Sequence, residues 1–430
     1  MSSTAPRPQG WETIPLRYVC ELNPSVAFDG LDEDEDLTFL PMDRVKSGYF
    51  IPNTEKFSKY SFSYTAFENG DIVLAKVTPC FENGNIAIAD DLVGGKGFGS
   101  SELFVIRPTA VERRFLFYYF QSSTFKQDGE ASMTGAGGLK RVSPDILRQH
   151  HLPCPSLDIQ RLIANYLDRE TARIDGLIAE KERMLALLEE KRAALFSRVI
   201  THGLYPNTPL KTSGLEWLGE IPAHWGIWPL KHVVIKIGSG VTPRGGAESY
   251  QSEGIPLFRS QNIHFDGLRM DDIVFVDEET HESMENSKVR NGDVLLNITG
   301  ASIGRCFYVE NLQGEANVNQ HVCIIRPSSL ISTKYLYFIL RSSVGQTQID
   351  LSQSGSGREG LNFEALGNFN VPVPPLDEQL AISDCLEADS RKSQHLHSEI
   401  RNSVERLRER RAALITAAVT GQIPLEEMSG

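Results

Sequence analysis

Two stretches of the chain, about 156–202 and 375–421, place apolar residues at alternating spacings of four and three positions. In the first stretch these positions are Ile163, Leu167, Ile174, Leu177, Met184, Leu188 and Leu195, and in the second they are Ile382, Leu386, Leu396, Ile400, Leu407 and Leu414. The average spacing of about 3.5 residues predicts a left-handed pair of long helices. Neither stripe can be buried by its own helix, so the simplest prediction is that the two helices pack on each other.

Both predicted helices carry matching end signals. Proline precedes each start, and Asp158 and Asp377 fall in the first turns, where the helix dipole favours a carboxylate. Gly203 and Gly421 follow the predicted ends. A helix of about 44 residues spans roughly 66 Å.

The regions before the helices, about 11–152 and 225–371, contain short apolar runs separated by glycine-rich turns. Runs such as "DIVLAKV" and "LFVIRP" in the first region, and "DVLLNIT" and "HVCIIRP" in the second, predict strands. One longer run in each region, "RRFLFYYFQSS" and "TKYLYFILRSS", predicts a buried helix. Each region is therefore predicted to be an α+β globular domain.

The two halves of the chain repeat each other. "EKRAALFSRVIT" begins at Glu190 and "ERRAALITAAVT" at Glu409, an offset of 219 positions that holds without a gap from Pro153 to Thr201. Further upstream, "GDIVL" matches "GDVLL" and one "IRP" matches another, with small shifts in the offset. The chain is therefore a tandem duplication of a unit of roughly 220 residues, with insertions only in its globular parts.

This repeat predicts two globular domains, two long helices and a linker. The boundaries are 1–152 for the first globular domain, 153–203 for the central helix, 204–224 for a turn-rich linker, 225–371 for the second globular domain, 372–421 for the C-terminal helix and 422–430 for a tail. The predicted fold class is α+β, with two similar globular domains separated by two long helices that pair as an antiparallel coiled coil about a pseudo-twofold axis. Two heads held at a fixed separation suit duplex DNA, and their different sequences predict different half-sites.

Composition places few limits on this interpretation. The chain is 40% hydrophobic and 23% charged, as is usual for a soluble globular protein. No run approaches the ~20 apolar residues of a membrane helix, and the N-terminus lacks a secretory signal. The six cysteines include no C-x-x-C pair and no zinc spacing. We therefore expect a cytoplasmic protein with reduced thiols, no membrane association and no metal of its own.

The net charge of −13 argues weakly against nucleic acid as a partner. Two acidic runs account for it: six carboxylates lie at Asp29 and Asp32–Asp36, and seven lie between Asp271 and Glu285, and neither run contains Lys or Arg. Both runs are predicted to be solvated surface. The rest of the chain sums to zero, which leaves room for local basic surfaces.

No catalytic motif stands out. "NPSV" at Asn23 lacks the second proline and the aromatic residue of an adenine methyltransferase loop. "GGKGFG" at Gly94 lacks the first glycine and the hydroxyl residue of a phosphate-binding loop, and is predicted to be a hairpin turn. The histidines, His321 among them, show no catalytic partner spacing and are predicted to be surface or packing residues.

Candidate DNA-contacting residues are cations and amides in glycine-rich loops, because bases are recognised by Arg, Lys, Asn and Gln, and phosphates by cations and backbone amides. The candidates are Lys76, Thr78, Lys140 and Arg141 in the first globular domain, and Arg244, Arg259, Ser260, Asn262, Asn297, Thr299 and Arg358 in the second. Each has a structural alternative: Arg259 could form a salt bridge inside its own domain, and Asn297 could cap a turn. The loops Gly135–Arg141 and Gly355–Gly360, which precede the long helices, are better candidates than any single residue in them.

Several motifs resemble those of the specificity subunit of a Type I restriction–modification enzyme, over nearly the whole chain. They are "SGLEWLGEIPAHW" (Ser213–Trp225), "GSGVTPR" (Gly238–Arg244), "GIPLFRSQNI" (Gly254–Ile263), "GDVLLNITGASIG" (Gly292–Gly304), "VNQHVCIIRP" (Val318–Pro327) and "LNFEALGNFNVPVPPLDEQLAI" (Leu361–Ile382). The first half is more divergent, and "GSGVTPR" and "FRSQNI" have no clear counterpart there.

The resemblance implies a division of labour. Each globular part would be a target recognition domain for one half of a bipartite double-stranded DNA sequence, and the long helices would be the conserved spacer regions. Two methyltransferase subunits, and in the full complex two translocase–nuclease (restriction) subunits, would assemble on this chain. The chain would bind without catalysing, with no cofactor of its own. S-adenosylmethionine would belong to the methyltransferase subunits, and ATP and Mg²⁺ to the translocase–nuclease subunits.

Two alternatives belong to other classes. A self-contained enzyme would need catalytic motifs that the sequence lacks. A coiled-coil scaffold that binds protein and does not direct methylation would show no dependence on DNA sequence.

Overall fold

A computed structural model of the chain describes residues 10–60, 63–136, 138–243, 245–353 and 360–429. The chain divides into two compact units, unit 1 (Met1–Arg183 with Ile400–Gly430) and unit 2 (Met184–Glu399). Each unit therefore combines one globular region with a part of each long helix.

The bounds of the elements follow the chain. The strands of unit 1 are β1 (Glu12–Pro15), β2 (Cys20–Leu22), β3 (Asp36–Leu40), β4 (Thr54–Lys56), β5 (Thr65–Glu68), β6 (Ile72–Ala75), β7 (Ile86–Ile88), β8 (Lys96–Gly99), β9 (Leu103–Pro108), β10 (Thr134–Ala136), β11 (Leu139–Arg141) and β12 (His151–Cys154). The strands of unit 2 are β13 (Leu210–Thr212), β14 (Glu220–Pro222), β15 (Gly226–Pro229), β16 (Val234–Ser239), β17 (Ile255–Phe258), β18 (Ile263–His264), β19 (Gly267–Leu268), β20 (Val274–Val276), β21 (Val294–Asn297), β22 (Cys306–Tyr308), β23 (Asn317–Val318), β24 (Val322–Pro327) and β25 (Asn370–Val373). The helices are α1 (Arg113–Gln121), α2 (Ser123–Ala131), α3 (Pro144–Gln149), α4 (Leu157–His202), α5 (Glu278–Ser283), α6 (Thr333–Arg341), α7 (Ser343–Gln353), α8 (Phe363–Gly367), α9 (Leu376–Val419) and α10 (Leu425–Met428).

Both units contain the same four-stranded antiparallel sheet. Its order is β2-β9-β6-β7 in unit 1 and β16-β24-β21-β22 in unit 2. The two motifs that repeat in the sequence, "GD" and "IRP", meet across this sheet: Arg107 forms an ion pair with Asp71 at 2.8 Å, and Arg326 with Asp293 at 2.6 Å. Both aspartates are almost fully buried. The predicted duplication is therefore confirmed at the level of sheet order and of the ion pair inside it.

A second sheet in each unit contains one parallel pair. In unit 1, β3 pairs with β8 in the order β4-β3-β8-β5, and in unit 2, β17 pairs with β23 in the order β20-β17-β23. A short 3₁₀ turn follows the first strand of each pair, Met42–Arg44 in unit 1 and Ser260–Asn262 in unit 2. The structure thus supplies the counterpart of "FRSQNI" that the sequence of the first half did not reveal.

The predicted buried helices are α1 and α6, and a glutamine ties each one to a long helix. Gln160 donates to the carbonyl of Pro155 at 2.8 Å and accepts from the backbone N–H of Glu112, the N-cap of α1. Gln379 makes the equivalent bonds to Pro374 and to the N-cap of α6, at 2.9 and 2.8 Å. The repeated "LD-x-Q" sequence therefore fixes where each long helix begins.

The long helices pair in antiparallel directions within each unit. In unit 1, Arg411 lies 2.9 Å from Asp175 and Arg408 lies 2.9 Å from Glu182. In unit 2, His397 lies 3.0 Å from Glu189, and Arg192 donates weakly to Ser390 at 3.4 Å. In both units, residue numbers increase along α4 while the numbers of their partners on α9 decrease, so the two helices are antiparallel.

The apolar stripe behaves differently along its length. Its outer positions, Ile163 and Leu167 in unit 1 and Ile382 and Leu386 in unit 2, are fully buried in the cores. Leu177, Met184 and Leu396 are instead 40%, 49% and 39% exposed. The two helices pack on each other as predicted, but the stripe is not fully buried at these central positions, where polar and ionic pairs join the helices.

Two local predictions also need correction. The segment 204–224, predicted as a linker, contains the β13–β14 pair and buries Leu218 and Ile221 in the core of unit 2. The turn at Gly94 leads into β8 and joins strands of different sheets, so it is not a hairpin. No described helix is long and apolar enough to cross a membrane. The acidic residues of both runs are exposed, as predicted.

Candidate nucleic-acid interface

The four candidate residues of unit 1 lie together at one end of the four-stranded sheet. The backbone N–H of Thr78 donates to the carbonyl of Lys140 at 3.0 Å, and that of Val142 donates to Lys76 at 2.8 Å. Val77 also forms a β-bridge with Arg141. The segment that leaves β6 therefore runs beside β11 and brings both predicted loops to one place.

The pair β10–β11 is an exposed antiparallel hairpin, in which Thr134 faces Arg141 and Gly135 faces Lys140. All of its described side chains are exposed, including the apolar Leu139. Gly135 has a φ of +139°, and a Cβ at this residue would lie 2.4 Å from the carbonyl oxygen of Leu139. Glycine is therefore required where the two strands approach most closely.

Arg141 is held by Glu102, a residue for which the sequence gives no motif. Its Nε and Nη2 donate to the two carboxylate oxygens of Glu102 at 2.9 and 2.8 Å. The hydrogen bond from Arg141, with a further contribution from the charge of Lys76, lowers the pKa of Glu102, and the same bond raises the pKa of Arg141. The Lys76 ammonium in turn lies 5.5 Å from the centroid of the Phe104 ring. This end of unit 1 thus presents three cationic side chains and one carboxylate, those of Lys76, Lys140, Arg141 and Glu102.

In unit 2, the amide candidates form an internal network. Asn262 is buried, accepts from the backbone N–H of Arg259 at 3.0 Å and donates to the carbonyl of Arg269. Asn297 is fully buried and donates to the carbonyl of Ser260 at 2.8 Å. These contacts favour the structural alternative for both asparagines, which shape the loop from beneath its surface.

Arg259 is half-buried and donates through Nη2 to the backbone carbonyl of Asp272 at 2.7 Å. Its guanidinium also lies 5.7 Å from the centroid of the Tyr250 ring. Among the described residues, the predicted alternative, a bond within its own domain, is therefore present as a hydrogen bond to backbone and not as a salt bridge.

In unit 1, the place where Val77 bridges Arg141 of the hairpin is called the hairpin junction. Thr299 lies at the corresponding place in unit 2, where it forms a β-bridge with Gly360. Its Oγ1 lies 2.6 Å from Nδ1 of His321, and Nε2 of that ring lies 2.9 Å from the amide nitrogen of Gln320. Because the amide nitrogen can only donate, Nε2 accepts and Nδ1 carries the proton. The ring is therefore fixed between a hydroxyl and an amide, all three partly exposed.

Backbone bonds show that Glu102 and His321 occupy equivalent places. The N–H of Lys76 donates to the carbonyl of Glu102 at 3.0 Å, and the N–H of Ile298 donates to that of His321, also at 3.0 Å. The sequence contained one signal for both: each stands just before the strand that ends in "IRP". That signal becomes informative only when the strand ends are seen to meet the hairpin junction.

Two candidates, Arg244 and Arg358, lie outside the described residues, as does 354–359, which includes all of the predicted loop Gly355–Gly360 except Gly360. Among the residues that the structure describes, no group of three or more His, Cys, Asp or Glu side chains could hold a metal ion. For the remaining candidates, contact with DNA stays a prediction.

Comparison with known proteins gives a consistent family. The model of the Type I restriction modification DNA specificity domain matches residues 8–184 and 224–406. The specificity subunit of the Type I restriction enzyme EcoEI of Escherichia coli is 24% identical, over 92% of this chain and 80% of its own. That of MjaVIII of Methanocaldococcus jannaschii is 22% identical, over 98% and 95%. A third, that of EcoAI of Escherichia coli, is 37% identical over 36% of this chain and only 27% of its own.

Solved structures share the fold. A chain from work on complex assembly and conformational transition of the type I R-M system aligns over 98% of this chain and 100% of its own, with a TM-score of 0.77 and 18% identity. The HsdS subunit from Thermoanaerobacter tengcongensis aligns over 98% and 99%, with a TM-score of 0.56 and 20% identity.

Proposed function

The chain belongs to the family of Type I restriction modification DNA specificity proteins, and from this premise we propose that it directs such a complex to a bipartite, asymmetric double-stranded DNA target. Each unit binds one half-site. The chain itself catalyses no reaction, and it determines which DNA sequence its partner subunits act on.

The observation that carries this proposal is the repeated junction with different side chains. Both units bring the end of one sheet strand beside the segment that precedes a long helix, with matching backbone bonds. At this junction unit 1 presents the Arg141–Glu102 pair, and unit 2 presents Thr299, His321 and Gln320. The same backbone arrangement with different polar side chains in each unit supports recognition of two different half-sites.

The long helices supply the spacing in this proposal. Helix α4 has 46 residues, equivalent to about 69 Å, and it contributes to the core of both units. The pairs Asp175–Arg411 and Glu189–His397 are separated by the same number of residues on α4 and on α9. A spacer made of two helical segments of equal length holds the half-sites at a fixed separation.

The partners follow from the same proposal. Two methyltransferase subunits, which carry S-adenosylmethionine, dock on this chain, and two translocase–nuclease subunits, which carry ATP and Mg²⁺, join them in the full complex. The exposed Leu177, Met184 and Leu396 support helix docking, because apolar side chains on long helices favour contact with other helices.

The test is an adenine methylome of cells that carry this chain with its methyltransferase, compared with cells that lack only this chain. We expect a split, asymmetric motif with a fixed gap that disappears on deletion. Unchanged methylation with an intact, expressed methyltransferase would contradict the proposal and favour a protein scaffold.

The spacer is tested by removing one heptad from each helix. Deletion of 180–186 together with 400–406 keeps both flanking pairs in register, because seven residues are removed on each helix from between the positions of Asp175–Arg411 and Glu189–His397. The helix pair shortens by about 10 Å, which corresponds to at most ~3 base pairs at 3.4 Å each. We expect unchanged half-sites with a shorter gap. Deleting either segment alone is the control, since it breaks the register of the pairs.

A further inference from the structure

The hairpin β10–β11 of unit 1 has the shape of a DNA-reading element. It is a two-stranded antiparallel ribbon whose described side chains are all exposed. The major groove of B-form DNA admits a two-stranded ribbon of this kind. Lys140 and Arg141 on β11 give its exposed surface positive charge.

Within the described part of the chain, one edge of the Arg141 guanidinium has no hydrogen-bond partner. Two of its five N–H groups, on Nε and Nη2, are directed to Glu102 at 2.9 and 2.8 Å. The free edge is the fork formed by Nη1 and the second hydrogen of Nη2. This fork matches the O6 and N7 acceptors of guanine, which is the commonest specific contact of arginine with a base.

The Arg141–Glu102 pair contributes little to the stability of the hairpin. The two side chains are 48% and 27% exposed, and ion pairs at such positions contribute little to folding. Backbone bonds hold the hairpin independently, through the register of β10 with β11 and the bond from Thr78 to Lys140. A bidentate pair on an exposed ribbon instead restricts the orientation of the guanidinium, which lowers the entropy lost on contact with a base.

We infer that Arg141 recognises a guanine in the half-site bound by unit 1, through O6 and N7, and that Glu102 is the positioning residue that orients it. The inference rests on the proposed function and adds a base and a residue to it. Unit 2 has His321 at the place of Glu102 and Gly360 at the place of Arg141. The contact therefore belongs to one half-site only.

The experiment uses the full chain in complex with its methyltransferase. Initial methylation rates are measured on the cognate duplex and on duplexes that carry each single base-pair change in both half-sites. The variants are Arg141→Lys, which keeps the charge but loses the fork, and Glu102→Gln, which keeps the shape but loses the carboxylate. Arg148→Lys is the matched control, because Arg148 is another exposed arginine of unit 1 paired with a carboxylate, Asp145, at 3.5 Å.

We expect Arg141→Lys to reduce discrimination at one G·C pair by roughly 5- to 150-fold, with the other half-site unchanged. Glu102→Gln relaxes the same base pair by a smaller factor, and Arg148→Lys changes nothing. An equal fall in rate on every duplex would assign Arg141 to the phosphate backbone and overturn the inference, as would unchanged discrimination at every position.

The same measurements distinguish failure of the proposed function from failure of the guanine contact. If the unaltered complex methylates all duplexes at the same rate, the proposed function itself fails. If it discriminates at both half-sites while Arg141→Lys does so equally well, only the guanine contact fails.

Discussion

Unit 1 and unit 2 build the same four-stranded sheet with the same buried Asp–Arg pair, yet they differ at the exposed ends of its strands. Glu102 of unit 1 and His321 of unit 2 accept equivalent backbone bonds, but one binds an arginine and the other a threonine and a glutamine. The difference shows where the duplicated fold tolerates change: buried pairs that hold the sheet are kept, and partly exposed strand ends diverge.

The largest expected difference concerns the buried ion pairs. Asp293→Asn leaves the guanidinium of Arg326, which is 15% exposed, without its carboxylate, and we expect a loss of about 3 kcal/mol in unfolding free energy. Asp71→Asn should cost less, because Arg107 keeps Glu68 at 2.9 Å. Urea denaturation followed by circular dichroism measures both. Equal losses would show that Glu68 does not replace the buried partner.

The glutamines at the starts of the long helices should behave alike. Gln160→Ala and Gln379→Ala each leave a partly buried backbone N–H and a buried proline carbonyl unpaired, and we expect each to cost about 1–3 kcal/mol. The same denaturation experiment tests this. A loss confined to one variant would mean that the two helix starts are not energetically equivalent.

A smaller asymmetry is expected at two equivalent arginines, Arg192 and Arg411. Arg411 has Asp175 at 2.9 Å, so Arg411→Leu should cost about 1 kcal/mol. Burial and the charge of Arg341 lower the pKa of Arg192, so its charge is disfavoured where it lies. Arg192→Leu should therefore be neutral or slightly stabilising. A substantial loss from this variant would show that Arg192 has a favourable partner after all.

The smallest effects concern the thiols. Burial raises the pKa of Cys306 and Cys323 in unit 2, and of Cys20 in unit 1, from the ordinary 9.0 to about 12. At pH 8 we expect iodoacetamide to modify the partly exposed Cys80 and Cys385 before these three, as mass spectrometry of peptides would show. Early modification of Cys306 would contradict the packing of the unit 2 core.

The same thiols predict a direction for alkaline stability. In the unfolded chain they ionise near pH 9, while in the folded chain they stay protonated up to about pH 12. The unfolded state therefore binds fewer protons in this window, so stability falls as pH rises from about 9 to 12. Cys323→Ala should reduce this slope, and an unchanged slope would assign the alkaline loss to other groups.

The sequence alone determined the repeat, the two long helices and the buried helix in each half, because these depend on local periodicity and on matching segments. It also selected Lys76, Thr78, Lys140 and Arg141 from two loops that the structure shows side by side. It did not identify Glu102, Gln320 or His321, whose partners are distant along the chain. Nor could composition distinguish Asn297, fully buried beneath its loop, from an asparagine at the surface.

Only the tertiary structure decided which groups meet at the strand ends and which stripe positions are buried. An apolar stripe shows that a helix face seeks a partner, but burial depends on what packs against each position. The globular cores cover the outer parts of the long helices, while Leu177 and Met184 stay exposed. Local spacing therefore determined the helices and the duplication, and long-range packing decided which polar groups meet at the strand ends.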